Sequence, residues 1–201
     1  DRMNQELISM TEKWKALERK TEKQREKAEN FYETKLMKLI EEEFIANNQD
    51  KLYEKIEYLI MSVGTSYEPL VLDIQLLQPR RILFLYTKKT ESVLNKISNY
   101  CQLDAMRYSK REVDETDPLD IYREIKTAYL KWGRPERMYI DFTGGTKSMS
   151  AAAAMAGAVI NVQLIYIGTT NYLTDFRKPD PGTECLFYIS NPVEIFGDLE
   201  I

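Results

Sequence analysis

The sequence predicts an α/β fold: a mainly parallel sheet with helices on both faces, preceded by a long N-terminal helix. Three observations carry this. Short apolar runs of strand length recur from Ile56 to Ser190, alternating with amphipathic stretches of helical length. The runs are apolar throughout rather than alternating, as strands covered on both faces require. And no Gly or Pro interrupts the chain from Asp1 to Gln49.

Residues 1–48 are expected as a single helix. Leu7, Met10, Trp14, Leu17, Thr21, Gln24, Ala28 and Phe31 keep a three-four spacing, a coiled-coil seam with a polar middle. Phe31, Tyr32, Leu36, Leu39, Ile40 and Phe44 form a wider stripe, suited to packing on a globular body or a second copy. We read residues 1–50 as a coiled-coil-like stalk that pairs with a twin, with a solvated single helix as the alternative. Residues 51–201 form the sheet domain.

Within that domain Ile56–Gly64 reads as a strand, and Tyr67–Leu77 as a helix with Pro69 in its first turn, where its missing N–H costs nothing. Arg81–Thr87 is a strand, Glu91–Cys101 a helix and Leu103–Lys110 a weaker strand. Asp117–Gly133 is a helix capped by Asp117 and stopped by Gly133. Arg137–Phe142 is a strand, Lys147–Ile160 a small-residue helix, and Val162–Gly168 and Cys185–Ser190 are further strands.

Composition bounds the function. An apolar fraction of 43% supports a core, and a net charge of −4 argues against direct DNA binding, so any phosphate must be held by a local site. Cys101 and Cys185 belong to no C-x-x-C pair and read as reduced core thiols of a cytoplasmic protein. No apolar run reaches membrane-spanning length. The chain contains no histidine, which excludes a Ser-His-Asp triad, a histidine-based ribonuclease and the usual zinc hydrolase sites within it. No metal or cofactor is expected. Glu112, Asp114, Glu115 and Asp117 read as solvated loop charges and a helix cap, and Trp132 as core or dimer packing.

Ligands of such sheets bind beyond the carboxyl ends of the strands. Those ends are Ser62-Val63-Gly64-Thr65-Ser66, Thr87-Lys88-Lys89, Thr143-Gly144-Gly145-Thr146-Lys147-Ser148 and Gly168-Thr169-Thr170-Asn171. Gly144-Gly145-Thr146-Lys147 has the chemistry of a phosphate site. Glycines permit positive φ, so several N–H groups can face one point; the helix start adds free donors, and Lys147 adds a charge. Neither common phosphate fingerprint fits: Walker A would need Lys147 directly after a glycine, and G-x-G-x-x-G is absent. A phosphoribosyl-pyrophosphate loop also ends in T-G-G-T but follows two adjacent acids, whereas Asp141 stands alone.

"DFTGGTKSMSAAAAMAG" resembles the signature of CARF domains (CRISPR-associated Rossmann fold), where D-x-T-G-G-T-K closes the fourth strand and opens the next helix. "MSVGTSYEPLVLDIQLLQPRRILFLYT" is similar to the family's opening, and the resemblance runs from about Tyr53 to Ser190. It implies a Rossmann-like homodimer whose two sites merge across a two-fold axis. The implied ligand is a cyclic oligoadenylate, the second messenger of type III CRISPR antiviral defence, expected here as cyclic tetra-adenylate. The binding residues implied are Ser62, Gly64, Thr65, Ser66, Thr87, Lys88, Thr143, Gly144, Gly145, Thr146, Lys147, Ser148, Met149, Thr169, Thr170 and Asn171, with Tyr172 a candidate for adenine stacking.

Among the outputs such proteins use, the HEPN ribonuclease needs R-x-x-x-x-H, and a restriction-like nuclease or winged helix would need chain beyond Ile201. The layout resembles membrane-anchored CARF effectors, which implies a signal-binding module that relays through the N-terminal helix to an upstream, transmembrane segment at the inner membrane, with higher oligomers forming through that helix. The alternative is a slow, metal-independent ring nuclease, in which Lys147 would neutralise the phosphate while Ser62 or Ser66 aligns the attacking 2′-hydroxyl.

Overall fold

The computed structural model describes residues 2–197; Asp1 and residues 198–201, the outer ends of the two expected domains, lie outside the described residues. The chain divides into two compact units. One comprises the residues up to Lys51 together with Gly168–Cys185; the other comprises Leu52–Ile167 and the chain from Leu186. The segment Gly168–Cys185 was not expected to belong with the N-terminal helices.

The first unit begins with α1 (Arg2–Ala16), α2 (Glu22–Phe31), a π-helical turn (Tyr32–Leu36) and α3 (Met37–Asn48). The expected uninterrupted helix is thus corrected to two arms, broken at Leu17–Thr21. Thr21 caps α2: its hydroxyl accepts from Gln24 N at 3.1 Å, and Gln24 Oε1 accepts from Thr21 N at 3.1 Å, a reciprocal capping box. The Arg19 guanidinium closes the end of α1 by donating to the carbonyls of Trp14 and Leu17, each at 2.6 Å. The polar middle of the expected seam is therefore the cap and first turn of α2.

Helix α1 packs back on the π-turn and α3. Leu7, Trp14, Ala28, Tyr32, Leu36, Ile40 and Phe44 are all buried. The Trp14 ring meets Tyr32 edge-on at 5.2 Å and Phe176 at 4.9 Å. Of the seam expected to meet a second copy, Leu7, Trp14 and Ala28 are thus buried within the chain, whereas Thr21 is exposed.

The second unit carries β1 (Tyr58–Ser62), α4 (Glu68–Leu77), β2 (Arg81–Tyr86), α5 (Glu91–Tyr100), β3 (Tyr108–Glu112), α6 (Pro118–Lys131), β4 (Met138–Asp141), α7 (Lys147–Ile160) and the start of β5 (Gln163–Thr169). Between β5 and β8 (Glu184–Ile189) lies an unanticipated hairpin of β6 (Tyr172–Leu173) and β7 (Lys178–Pro179), and a short α8 (Val193–Phe196) follows. The 6-stranded sheet has the order β3-β2-β1-β4-β5-β8. The pairs β1–β2, β1–β4, β2–β3 and β4–β5 are parallel, with Tyr58 opposite both Arg81 and Met138. The mainly parallel fold class holds.

Most strand and helix ends differ from expectation by a residue or two. The exception is β3, which starts five residues later than the sequence indicated. Leu103–Arg107 instead form a turn in which Asp104 Oδ1 accepts from Met106 N at 2.8 Å, local chemistry that competes with strand pairing. The strand itself exposes Ser109, Lys110, Arg111 and Glu112, a charged edge that resists pairing with another chain.

Buried Ile60, Ile140 and Leu164 of the sheet join Ile121 and Ile125 of α6 and Ala152 and Ala153 of α7 in one core. The small residues of α7 let it lie close to the sheet: a Cβ on Gly157 would collide with Leu164 Cδ2.

Candidate functional site

The sheet order reverses between β1 and β4, both of whose neighbours leave in opposite directions. This topological switch point opens a crevice at the carboxyl ends, where the β1–α4 loop and the β4–α7 loop stand side by side.

The two loops touch through bare backbone. A Cβ on Gly64 would lie 2.6 Å from Gly145 N and 3.2 Å from Gly144 Cα. A Cβ on Gly144 would collide with Ser62 O and lie 2.6 Å from Gly64 N. Close approach is therefore what requires Gly64 and Gly144. Of the two adjacent glycines only Gly145 takes positive φ, at +90°, so the expectation that both supply it is corrected. Ser62 is buried, and its hydroxyl donates to Gly144 O at 2.6 Å; Ser150 Oγ donates to the same carbonyl at 3.3 Å.

Thr146 caps α7, accepting from Met149 N at 3.3 Å. The N–H groups of Gly145, Thr146, Lys147 and Ser148 have no acceptor among the described residues. These donors, the positive end of α7 and the Lys147 ammonium gather at one exposed turn, and Lys147 makes no ion pair among the described residues. Across the crevice Thr65 and Ser66 are exposed, and their hydroxyls are unbonded among the described residues.

The turn is anchored from beneath by Asp141 and Thr143. Asp141 is fully buried; one carboxylate oxygen accepts from Thr143 N at 2.7 Å and the other has no partner among the described residues. Burial pushes its pKa up to about 7, against the lowering effect of the Thr143 bonds. Thr143 Oγ1 accepts from Ile167 N at 2.8 Å, tying the turn to β5. Met149 is buried under Gly145, its side chain about 3.1 Å from where a Cβ would stand.

The remaining candidates fall in two places. Thr87 is buried and shares a cap with Thr90, whose hydroxyl accepts from Thr87 N at 3.0 Å. Lys88 beside it is exposed, and Lys89 reaches Glu115 at 3.7 Å. Both border a cleft of about 410 Å³ with Asp114 and Asp120. These acids serve the local backbone: Asp114 accepts from Thr116 N at 2.9 Å, Asp120 from Asp114 N at 2.9 Å, and Asp117 caps α6. Thr169, Thr170 and Asn171 belong to the first unit. There Thr169 Oγ1 and Thr183 Oγ1 are 2.7 Å apart, Thr170 N donates to Thr183 O at 3.1 Å, and Asn171 Nδ2 donates to Asp180 Oδ2 at 3.2 Å.

Sequence reasoning missed three contributors to the site: buried Asp141 as an anchor, the Thr143 hydroxyl as an acceptor, and Gly64 as the partner of Gly144. The D-x-T spacing was a usable signal for the first two, because an Asp commonly accepts from the backbone N–H two residues on. Nothing in the sequence pairs Gly64 with Gly144 across eighty residues.

A family model, the Card1 CARF domain, matches residues 69–179. Over 147 residues the chain is 30% identical to the CRISPR system endoribonuclease Csm6 of Thermus thermophilus, a match covering 70% of this chain and 31% of that protein. The chain thus spans about a third of that curated relative's length. Among solved structures, Enterococcus italicus Csm6 bound to cyclic hexa-2′-fluoro-hexa-dAMP is similar at a TM-score of 0.50 and 12% identity, over 67% of this chain and 41% of that one. Can2 from Sulfobacillus thermosulfidooxidans, in complex with cyclic tetra-adenylate, gives a TM-score of 0.48 and 20% identity over 55% of this chain and 31% of that one. At 12% identity the likeness to the Enterococcus protein is one of fold.

Proposed function

The chain belongs to the CARF domain family, and from that premise we propose that it is a sensor that binds a cyclic oligoadenylate of a type III CRISPR response, with cyclic tetra-adenylate as the preferred ring. The observation that carries this reading is the turn after β4: four successive backbone N–H groups without acceptors among the described residues lie at a helix start beside Lys147, which makes no ion pair among those residues. Such a nest suits a phosphate diester, and exposed Thr65 and Ser66 across the crevice suit sugar hydroxyls or base edges.

The proposal includes a homodimer. A ring with two-fold symmetry matches a pair of identical nests better than one. Helix α7 bears the nest at its N-terminus and exposes Met155 and Val159 along its length, beside Tyr122, Tyr129 and Leu130 of α6. Covering that apolar face with the same face of a second copy supplies the association the ring requires. We further propose that the helical unit passes the ligand's effect to an upstream segment that anchors the parent protein at the inner membrane. No helix among the described residues is long and apolar enough to cross a membrane, so such an anchor would lie elsewhere in the parent.

The ring-nuclease alternative asks Ser62 or Ser66 to align a 2′-hydroxyl. Ser62 is buried, and its proton is already given to Gly144 O, so that alternative would fall to exposed Ser66. Native mass spectrometry with cyclic tetra-adenylate tests the reading: it predicts two chains holding one intact ring. Free chains at ligand excess would overturn it, and linear di-adenylate appearing on incubation would replace it with the cleaving alternative.

A further inference from the structure

The edge of the sheet opposite the nest carries a second concave surface with different chemistry. The N-terminal ends of β1, β2 and β3 frame a groove of about 370 Å³ lined by Lys55, Glu57, Gln78, Pro79, Arg80, Arg81 and Arg107. Four cations face one carboxylate there, on a chain whose net charge is −4. None of the four makes an ion pair among the described residues. At the nest's own edge, by contrast, Lys89 and Arg111 pair with Glu115 and Glu124.

The groove is also held in shape. Glu57 O accepts from Arg80 N at 2.9 Å and Arg81 N at 3.0 Å, fixing the turn before β2. Gln78 ends α4 in the left-handed conformation, its amide bonded to Gln75 O at 3.2 Å. Arg107 Nη2 donates to Pro79 O at 2.9 Å, and Arg81 Nη1 to Arg80 O at 3.4 Å. The Arg81 and Arg107 guanidiniums are each steadied by one carbonyl and keep most of their five donors free. A fixed, unpaired arginine fork pairs with a carboxylate at low ordering cost.

We propose that this groove is a docking site for an acidic protein segment, one that presents clustered Asp or Glu side chains to Arg80, Arg81 and Arg107. Single-stranded RNA offers anions too, but no aromatic ring lines the groove to stack a base, and base stacking is a main source of single-strand affinity. The site is separate from the nucleotide nest, so a partner held here would leave the nest open.

The probe is fluorescein-labelled hexaglutamate, followed by anisotropy at low salt, with a uridine hexanucleotide as the competing polyanion. The wild-type chain should bind the peptide, and added salt should weaken the complex steeply. The double variant Arg80→Glu/Arg81→Glu should bind at least tenfold more weakly. Lys23→Glu/Lys27→Glu, which makes the same change in net charge on α2, should bind within twofold of wild type. Arg80→Gln/Arg81→Gln gives an intermediate loss and stands in if the reversal unfolds the protein, as judged by circular dichroism. Absence of peptide binding, equal losses in the two double reversals, or tighter binding of the hexanucleotide than of the peptide would each overturn the proposal.

Discussion

Replacing Gly144 with alanine would push a methyl group into backbone on two sides. The new Cβ would collide with Ser62 O and stand 2.6 Å from Gly64 N, and neither atom belongs to a side chain that can rotate away. The loops after β1 and β4 must then separate. Overpacking of this kind costs about 1–3 kcal/mol. Separation also breaks the bond from Ser62 Oγ to Gly144 O at 2.6 Å, and stranding a buried hydroxyl costs about 1–3 kcal/mol more. The expected loss is about 2–6 kcal/mol, read as a lower midpoint in urea denaturation. Gly133→Ala is the control. Gly133 has φ +79° and nothing within 4 Å of its missing Cβ, so alanine there costs only the left-handed strain, about 1–2 kcal/mol. Calorimetric titration with cyclic tetra-adenylate should show Gly144→Ala much impaired and Gly133→Ala near wild type. A Gly144→Ala protein as stable as wild type, or no less stable than Gly133→Ala, would show that the two loops do not meet as described.

Lys147→Ala should leave the fold intact and weaken cyclic tetra-adenylate binding at least tenfold, since a charged hydrogen bond contributes about 1.5–3 kcal/mol and a dimer loses two; unchanged titration heats would refute its role. Gly145→Val should abolish binding, because φ +90° is barred to a β-branched residue and the turn that aims the donors is lost; a folded variant with normal affinity would make the turn purely structural. Asp141 has a folded pKa of about 7 against an ordinary 3.8, so the folded state retains a proton that the unfolded chain releases between those values, and stability falls as pH rises through that window. Asp141→Asn should flatten the fall of thermal midpoint between pH 5 and 8, leaving a residual slope from Glu184, which burial also raises to about 7; parallel curves for variant and wild type would contradict this. Thr21→Ala should cost about 0.5–2 kcal/mol by uncapping α2, whereas a seam position in an uninterrupted helix would tolerate alanine or gain from it, so the sign of the change decides.

The sheet was legible because its strands are continuous apolar runs, and α7 because its start and small-residue face both left marks in the sequence. The N-terminal region misled for a definable reason. A helical period persists across Leu17–Thr21, so spacing alone extends the helix, while the break is written in Thr21, Gln24 and Arg19, whose side chains bond to backbone. Strand β3 misled in the opposite way, since apolar Leu103, Ala105 and Met106 drew the strand into a turn fixed by Asp104. At the site, the exposed donors were readable from G-G-T-K. What lay beneath them was not: Ser62 bonding to Gly144, Gly64 packing on Gly145 and Thr143 joining β5 all connect residues distant in sequence. Thr169–Asn171 were grouped with the other strand ends by position, whereas the chain folds them with the hairpin of the first unit.

The turn after β4, doubled across a two-fold axis, is proposed to hold a cyclic oligoadenylate. Isothermal titration of the wild-type chain with cyclic and with linear tetra-adenylate addresses it directly. One cyclic ring should bind per two chains, and the linear form, which lacks the two-fold match to paired nests, should bind far more weakly. Equal affinity for the two, or no measurable binding of the ring, would contradict it.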